Sequence, residues 1–148
     1  MPTDLPPTST STPVPLPTAT ATPVSFTVDV PANVEWFDTE IEVKQGQRVV
    51  VSASGIVNTW DGRDIAFSDP DGQTENICVP TDKNEDCLIN GERYGLLVGR
   101  IGNGEPLVVG GANDFIAPES GTIYLAVNDN STFFFDNLDS FVVVISFP

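Results

Sequence analysis

One stretch near the C-terminus concentrates the side chains that could do chemistry. Residues Asn128 to Asp139 carry three carboxylates, three amides and two hydroxyls within twelve positions. Hard cations such as Ca²⁺ take about six to eight oxygen ligands from carboxylates, amides and backbone carbonyls. The stretch is therefore our candidate cation site. The competing interpretation is a polar turn whose Asp and Asn side chains cap backbone N–H groups.

Two apolar runs must position this loop. Thr122 to Val127 precedes it, and Phe141 to Phe147 follows it. Both runs are rich in β-branched and aromatic residues, which favours strands. By alternation, we expect at least one of the three residues Phe133 to Phe135 to lie in the core.

The charge balance excludes several classes of function. The chain has 148 residues, 21 acidic and 6 basic side chains, a formal charge of −15 and no His. Nucleic acids and anionic membranes need clustered Lys and Arg, so neither is an expected partner. Without His, Ser-His-Asp and Cys-His catalysis are excluded, and a zinc site is disfavoured. A carboxylate pair could still hydrolyse glycosides, but we expect no enzyme, because a cation would occupy the same carboxylates.

The two cysteines, Cys78 and Cys87, are nine positions apart. This spacing fits neither a CxxC redox motif nor a zinc knuckle. We favour a disulfide over two free thiols, which implies an oxidising compartment.

The chain has no apolar run long enough to span a membrane and no visible signal peptide. We expect an extracellular or cell-surface bacterial protein whose export signal is absent from this chain.

The first 24 residues differ in composition from the rest. They are dominated by Pro, Thr and Ser, and Pro removes backbone donors and fixes φ. We predict an extended Pro/Thr-rich linker or stalk over residues 1–24, either unmodified or O-glycosylated. Pairing of Ala19 to Phe26 with another subunit's sheet edge is the less favoured alternative.

From residue 25 to 148 the pattern is one of short strands and turns. Arg48 to Gly55 is a strong strand signal, with Val49 and Val51 on one face. Residues 73–93 form a long polar loop that holds both cysteines. No segment has helical periodicity. Some eight to ten strands predict an all-β, antiparallel β-sandwich.

A set of motifs occurs in one order along this domain. It comprises Gly46 to Gly55, Asp69 to Gly72, Gly95 to Gly102, Ala117 to Asp129, and Asp136-Asn137 before Ser140 to Val143. The ordered set resembles the bacterial PA-IL (LecA-like) galactose-binding lectin family over about residues 26–147. The resemblance implies a jelly-roll-like sandwich with one Ca²⁺ that bridges the protein and two neighbouring hydroxyls of a sugar.

The resemblance also implies a set of cation ligands. They are the side chains of Asp129, Asp136 and Asn137 and the backbone carbonyls of Phe133 and of Thr59 or Trp60. The family has two adjacent amides where this chain has Asp136 and Asn137. The additional negative charge of Asp136 should strengthen cation binding.

The sugar-facing residues of the family do not carry over. Family members use a His and a Gln ahead of the first Cys, whereas this chain has no His and a shorter segment there. The candidate ligand-binding residues are therefore Asn128, Asn130, Glu75, Asn76, Asp82 and Trp60. Trp60 or the run Phe133 to Phe135 would supply a stacking platform.

These observations predict a calcium-binding, lectin-like carbohydrate-binding module outside the cell. Its partner would be a carbohydrate, galactose-like under the resemblance. The alternative is a structural subunit of an extracellular filament or surface assembly, with a homo-oligomeric or filament neighbour, in which Ca²⁺ only stabilises the domain.

Overall fold

The computed structural model describes residues 22–80 and 86–148. Its strands are β1 (Val24–Pro31), β2 (Phe37–Val43), β3 (Arg48–Ser54), β4 (Val57–Asn58), β5 (Phe67–Ser68), β6 (Leu97–Ile101), β7 (Leu107–Val108), β8 (Ala112–Ile116), β9 (Gly121–Val127) and β10 (Ser140–Phe147). Two single-turn 3-10 helices, Asp64–Ala66 and Phe134–Asp136, are the only helical segments in these two ranges.

The strands form two four-stranded antiparallel sheets with the orders β1-β10-β3-β8 and β2-β9-β6-β7, and β4 pairs with β5 separately. Apart from that pair and the β6–β7 hairpin, the chain changes sheet at each successive strand. This alternation is the jelly-roll arrangement of a β-sandwich. The predicted all-β, antiparallel, jelly-roll-like fold is confirmed.

The core lies between the inner faces of the two sheets. Val49 and Val51 on β3 are buried, as are Ile41 and Val43 on β2, and Phe141 on β10. Alternate residues of these strands are exposed or half-buried. A shift of one residue in register would turn each buried set outward, so the hydrophobic pattern sets the pairing.

The loop between β9 and β10 bears out the expected alternation. Phe134 is buried, whereas Phe133 and Phe135 are exposed. Phe134 thus turns into the protein, and its two neighbours stay at the surface.

Strand β1 begins at Val24, one residue before the predicted domain boundary. Val24 to Phe26 pair with Ile145 to Phe147 of the same chain. The described part of the Ala19 to Phe26 segment is therefore paired within its own sheet. The predicted linker lies almost wholly outside the described residues.

Across the described ranges, no helix has the length and apolar character needed to cross a membrane.

Candidate functional site

The loop between β9 and β10 lies against the loop that follows β4. The Asn58 N–H donates to the Leu138 carbonyl at 3.1 Å, and the Leu138 N–H donates to the Asn58 carbonyl at 2.8 Å. Farther along, the Asp61 N–H donates to the Asp136 carbonyl at 2.8 Å. These bonds hold the two loops in one fixed arrangement at the end of the sandwich.

The side chain of Asn58 sets the path of the loop after β4. It is 1% exposed, and its Oδ1 accepts from the N–H groups of Trp60 and Gly62, both at 2.9 Å. Its Nδ2 donates to the Arg63 carbonyl at 2.9 Å. Asn58 is not among the residues predicted from the sequence, although an Asn three positions before Asp61-Gly62 is a recognisable turn signal.

Gln73 connects the long loop to the same region. Its buried Nε2 donates to Thr59 Oγ1 at 2.9 Å and to the Ala66 carbonyl at 3.1 Å. Its Oε1 accepts from Asn76 Nδ2 at 2.8 Å. No local pattern marks Gln73, because two of its partners lie seven and fourteen residues away in the chain.

These loops enclose a cleft of about 580 Å³. Eight residues that the sequence analysis singled out line it: Thr59, Trp60, Glu75, Asn76, Asp129, Asn130, Phe133 and Asp136. Five others also line it, namely Ile65, Ala66, Gln73, Ile77 and Tyr94. The wall is partly apolar, since Trp60, Ile65, Ile77 and Phe133 are each between 41% and 67% exposed.

Three oxygen atoms beside this cleft are buried without a hydrogen-bond partner among the described residues. They are Asp129 Oδ2, Asp136 Oδ1 and Asn137 Oδ1. The orientation of Asn137 is fixed because its Nδ2 donates to the Ala32 carbonyl at 3.0 Å, which turns Oδ1 away from that carbonyl. Asp129 Oδ1 accepts from the Asn130 N–H at 2.7 Å, which leaves Oδ2 unpaired. Each buried unpaired oxygen costs about 1–3 kcal/mol.

Electrostatics connects these groups. Burial raises the pKa of Asp129 to about 6, the Asn137 amide and the Asn130 N–H lower it, and the charge of Asp136 raises it. Burial also raises the pKa of Asp136, its own backbone N–H lowers it, and the charge of Asp61 raises it. The carboxylates are therefore partly buried and repel one another. A divalent cation between them would neutralise this repulsion.

The donor set fits a hard cation. In the two described ranges, no three His, Cys, Asp or Glu side chains come together as a metal site. The donors here are instead two carboxylates and one amide, with carbonyls nearby, which are oxygen ligands of the kind that Ca²⁺ takes.

The predicted carbonyl ligands differ in their existing bonds. The Trp60 carbonyl accepts from the Arg63 N–H at 2.9 Å, and the Phe133 carbonyl accepts from the Asp136 N–H at 3.2 Å. Each keeps a second lone pair. The Thr59 carbonyl receives no hydrogen bond from the described residues.

The remaining predicted ligand-binding residues have different positions. Asn130 lines the cleft, but its Oδ1 accepts from the Thr132 N–H and hydroxyl. Asn128 does not line the cleft: it is fully buried, and its amide bonds the backbone of Ile89 and Arg93. Asn128 therefore anchors the long loop, which corrects its assignment as a ligand-binding residue. Asp82 lies outside the described residues.

Cys78 and Cys87 form the predicted disulfide. Both sulfur-bearing side chains are buried. The bond closes part of the long loop directly beside the cleft, because Cys78 follows the lining residue Ile77.

The strand order and the cleft define this chain as a jelly-roll-like β-sandwich domain with a pocket between its end loops. No family model and no curated protein matches the sequence. Among solved structures, one described as "EclA N-terminal domain; PllA-like lectin" is similar to this chain. The TM-score is 0.64 and the sequence identity 23%, over 82% of this chain and 95% of that one. At this identity, the similarity concerns the fold.

Proposed function

We propose that this domain is a calcium-dependent, lectin-like carbohydrate-binding module. The single observation that carries the proposal is the group of three buried oxygens without donors, Asp129 Oδ2, Asp136 Oδ1 and Asn137 Oδ1. A Ca²⁺ ion bound there would take neighbouring hydroxyl oxygens of a sugar as further ligands, and the backbone carbonyls of Phe133, Thr59 and Trp60 would contribute from the protein.

The cleft suits a sugar in shape and in chemistry. Binding pockets of about 300–1,000 Å³ with mostly apolar walls and a few placed polar groups are typical of small-ligand sites, and this cleft has about 580 Å³. Trp60 and Phe133 offer ring faces for stacking, and Glu75 and Asn76 offer polar atoms for the remaining hydroxyls. The Trp60 ring is held in place by the Arg63 guanidinium, 4.0 Å from its centroid.

The structural neighbour supports this proposal because it is described as a lectin. The resemblance in ordered motifs points to a galactose-like sugar. However, the family's His is absent, and the wall of this cleft consists of different residues. The glycan array described next must therefore identify the preferred sugar.

The test is a glycan array probed with the labelled full chain in calcium and again in excess chelator. We expect binding to a limited set of glycans in calcium and its loss in chelator. Asp129→Asn should abolish the calcium-dependent signal, and Asp139→Asn should retain it, because Asp139 does not line the cleft. Absence of calcium-dependent binding to any glycan would contradict the proposal.

We also propose an extracellular or cell-surface location. The support is the Cys78–Cys87 disulfide, because such bonds persist in oxidising compartments. The alternative function, a structural subunit of an extracellular filament, stays a prediction, and electron microscopy of the full chain would test it.

A further inference from the structure

The Cys78–Cys87 disulfide closes a loop whose two ends meet opposite walls of the cleft. Cys78 directly follows the wall segment that contains Glu75, Asn76 and Ile77. Cys87 forms an antiparallel bridge with Asn130, which belongs to the opposite wall. The disulfide therefore joins the Cys78 wall covalently to a segment that is itself hydrogen-bonded to the loop with the cation-binding carboxylates.

The segment around Cys87 holds the backbone next to Asp129. The Leu88 N–H donates to the Asp129 carbonyl at 3.3 Å, and the Ser131 N–H donates to the Asp86 carbonyl at 3.1 Å. These bonds flank the Asn130 N–H, which donates to Asp129 Oδ1 and so orients the carboxylate. Displacement of the Cys87 segment would therefore shift the backbone that aims Asp129 Oδ2 into the site.

The other end of the disulfide is fixed independently. The Cys78 N–H donates to the Glu92 carbonyl at 2.8 Å, and the Gly91 N–H donates to the Cys78 carbonyl at 2.7 Å. Cys78 thus has an anchor that does not depend on the disulfide. Hydrogen bonds also hold the Cys87 side, from the Cys87 N–H to Asn90 Oδ1 at 3.0 Å and between Ile89 and the Asn128 amide. Breaking the disulfide would therefore loosen the Cys87 segment, which contacts the cation-binding loop, without detaching it.

We infer that the Cys78–Cys87 disulfide positions the Asp129 carboxylate for cation binding, so that its reduction weakens Ca²⁺ affinity while the sandwich stays folded. The inference rests on the proposed function. The main core supports the second part, because it is built from the two sheets and their flanking residues and includes no residue of the 73–93 loop. Groups that orient a ligand from outside the coordination shell typically change metal affinity by about 10–100-fold.

The chemical step is a thiol–disulfide exchange. A dithiol such as dithiothreitol gives two electrons and two protons to the Cys78–Cys87 bond and is itself oxidised to a cyclic disulfide. The protein then carries two thiols in place of one S–S bond.

The first experiment is calorimetric titration of the full chain with calcium chloride. The oxidised wild type is compared with the double variant Cys78→Ser, Cys87→Ser and with Val49→Ala. Val49 is a fully buried core residue on β3, so its truncation lowers stability without touching the site. We expect the dissociation constant for Ca²⁺ to rise at least about tenfold in the double variant and to stay unchanged in Val49→Ala.

The second experiment uses the wild type alone and does not depend on the folding of a variant. The protein is equilibrated with dithiothreitol redox buffers, with and without saturating calcium. Because coupling between two binding events is reciprocal, Ca²⁺ must make the disulfide harder to reduce. A tenfold difference in affinity corresponds to a midpoint about 30 mV more negative in calcium.

The outcomes separate the inference from the function on which it rests. Equal calcium affinity in the double variant and the wild type, or equal midpoints with and without calcium, would overturn the positioning role alone. An oxidised wild type that binds no Ca²⁺ would overturn the proposed function and this inference together. A weaker affinity in the double variant with an unchanged Val49→Ala control would support both.

Discussion

The carboxylates of Asp129 and Asp136 face the same cleft, and the charge of Asp136 makes Asp129 harder to ionise. Burial is the larger cause of the rise in the pKa of Asp129 to about 6, and the charge of Asp136 adds to it. Both carboxylates also keep a buried oxygen without a hydrogen-bond donor. A protein retains such an arrangement at a cost to stability, and a bound cation would remove that cost.

Calcium should stabilise the folded protein. At a concentration about one hundred times its dissociation constant, a ligand that binds only the native state adds about 2.7 kcal/mol to the free energy of unfolding. For a domain of this size the melting temperature should rise by about 10 °C. Scanning calorimetry with calcium and with chelator measures the difference. Asp129→Ala should remove it and Asp139→Asn should keep it, whereas identical wild-type scans would exclude a cation site.

The stability of the calcium-free protein should depend on pH through Asp129. Its pKa is about 6 in the folded state and 3.8 as an ordinary aspartate. The native state therefore binds this proton more tightly, and the stabilisation is present below pH 4 and is lost as the pH rises through 6. Relative to Asp129→Asn, the wild type should lose about 2 kcal/mol between pH 4 and pH 7.

Urea unfolding in chelator across this pH range measures that loss. The same pKa predicts that Ca²⁺ affinity falls below about pH 6, where a proton competes for the carboxylate. If the free energy of unfolding varies with pH in the same way for the wild type and Asp129→Asn, then Asp129 is not a buried carboxylate with a raised pKa.

Truncation of the aromatic wall should weaken glycan binding without affecting the cation. Trp60→Ala and Phe133→Ala each remove a ring that lines the cleft, and the loss of such an anchor typically costs about 1–2 kcal/mol of binding free energy. Phe135→Ala is the matched control: this ring contacts Phe133, is 78% exposed and does not line the cleft. Titration with a glycan identified on the array measures the affinities. Equal losses in all three variants would argue against a binding role for the wall.

Replacement of Asn58 should disturb stability and cation binding together. Asn58→Ala leaves the N–H groups of Trp60 and Gly62 without their acceptor, while the Arg63 carbonyl keeps the Ala66 N–H. We expect a loss of about 2–3 kcal/mol in stability and weaker Ca²⁺ binding, because the adjacent loop is bonded to Asp136. Asn113→Ala, which removes a half-buried, hydrogen-bonded amide on β8 far from the cleft residues, is the control. A variant with wild-type stability would show that the loop holds its path without Asn58.

The local pattern of the chain was sufficient to predict much of this protein. Alternation in strands such as Arg48–Ser54 predicted the sheets, and the density of oxygen donors between Asn128 and Asp139 pointed to a loop that lines the cleft. These features depend on neighbours two to about ten residues apart, and a strand or a turn is itself a local structure. The same reasoning explains the success of the Cys78–Cys87 pairing, which closes a short loop.

Only the tertiary structure decided how the loops meet. Asn128 and Asn137 are both amides in the same loop, yet the first is saturated by the backbone of residues 89 and 93, and the second keeps an unpaired oxygen because Ala32 takes its Nδ2. The partners of Asn137 and Gln73 lie in other loops. The apolar wall of Ile65, Ile77 and Phe133 likewise comes from three separate segments. Whether a polar atom finds a hydrogen-bond partner, and which apolar side chains share a wall, depends on contacts that form when the two sheets pack. The spacing of residues within one segment cannot predict those contacts.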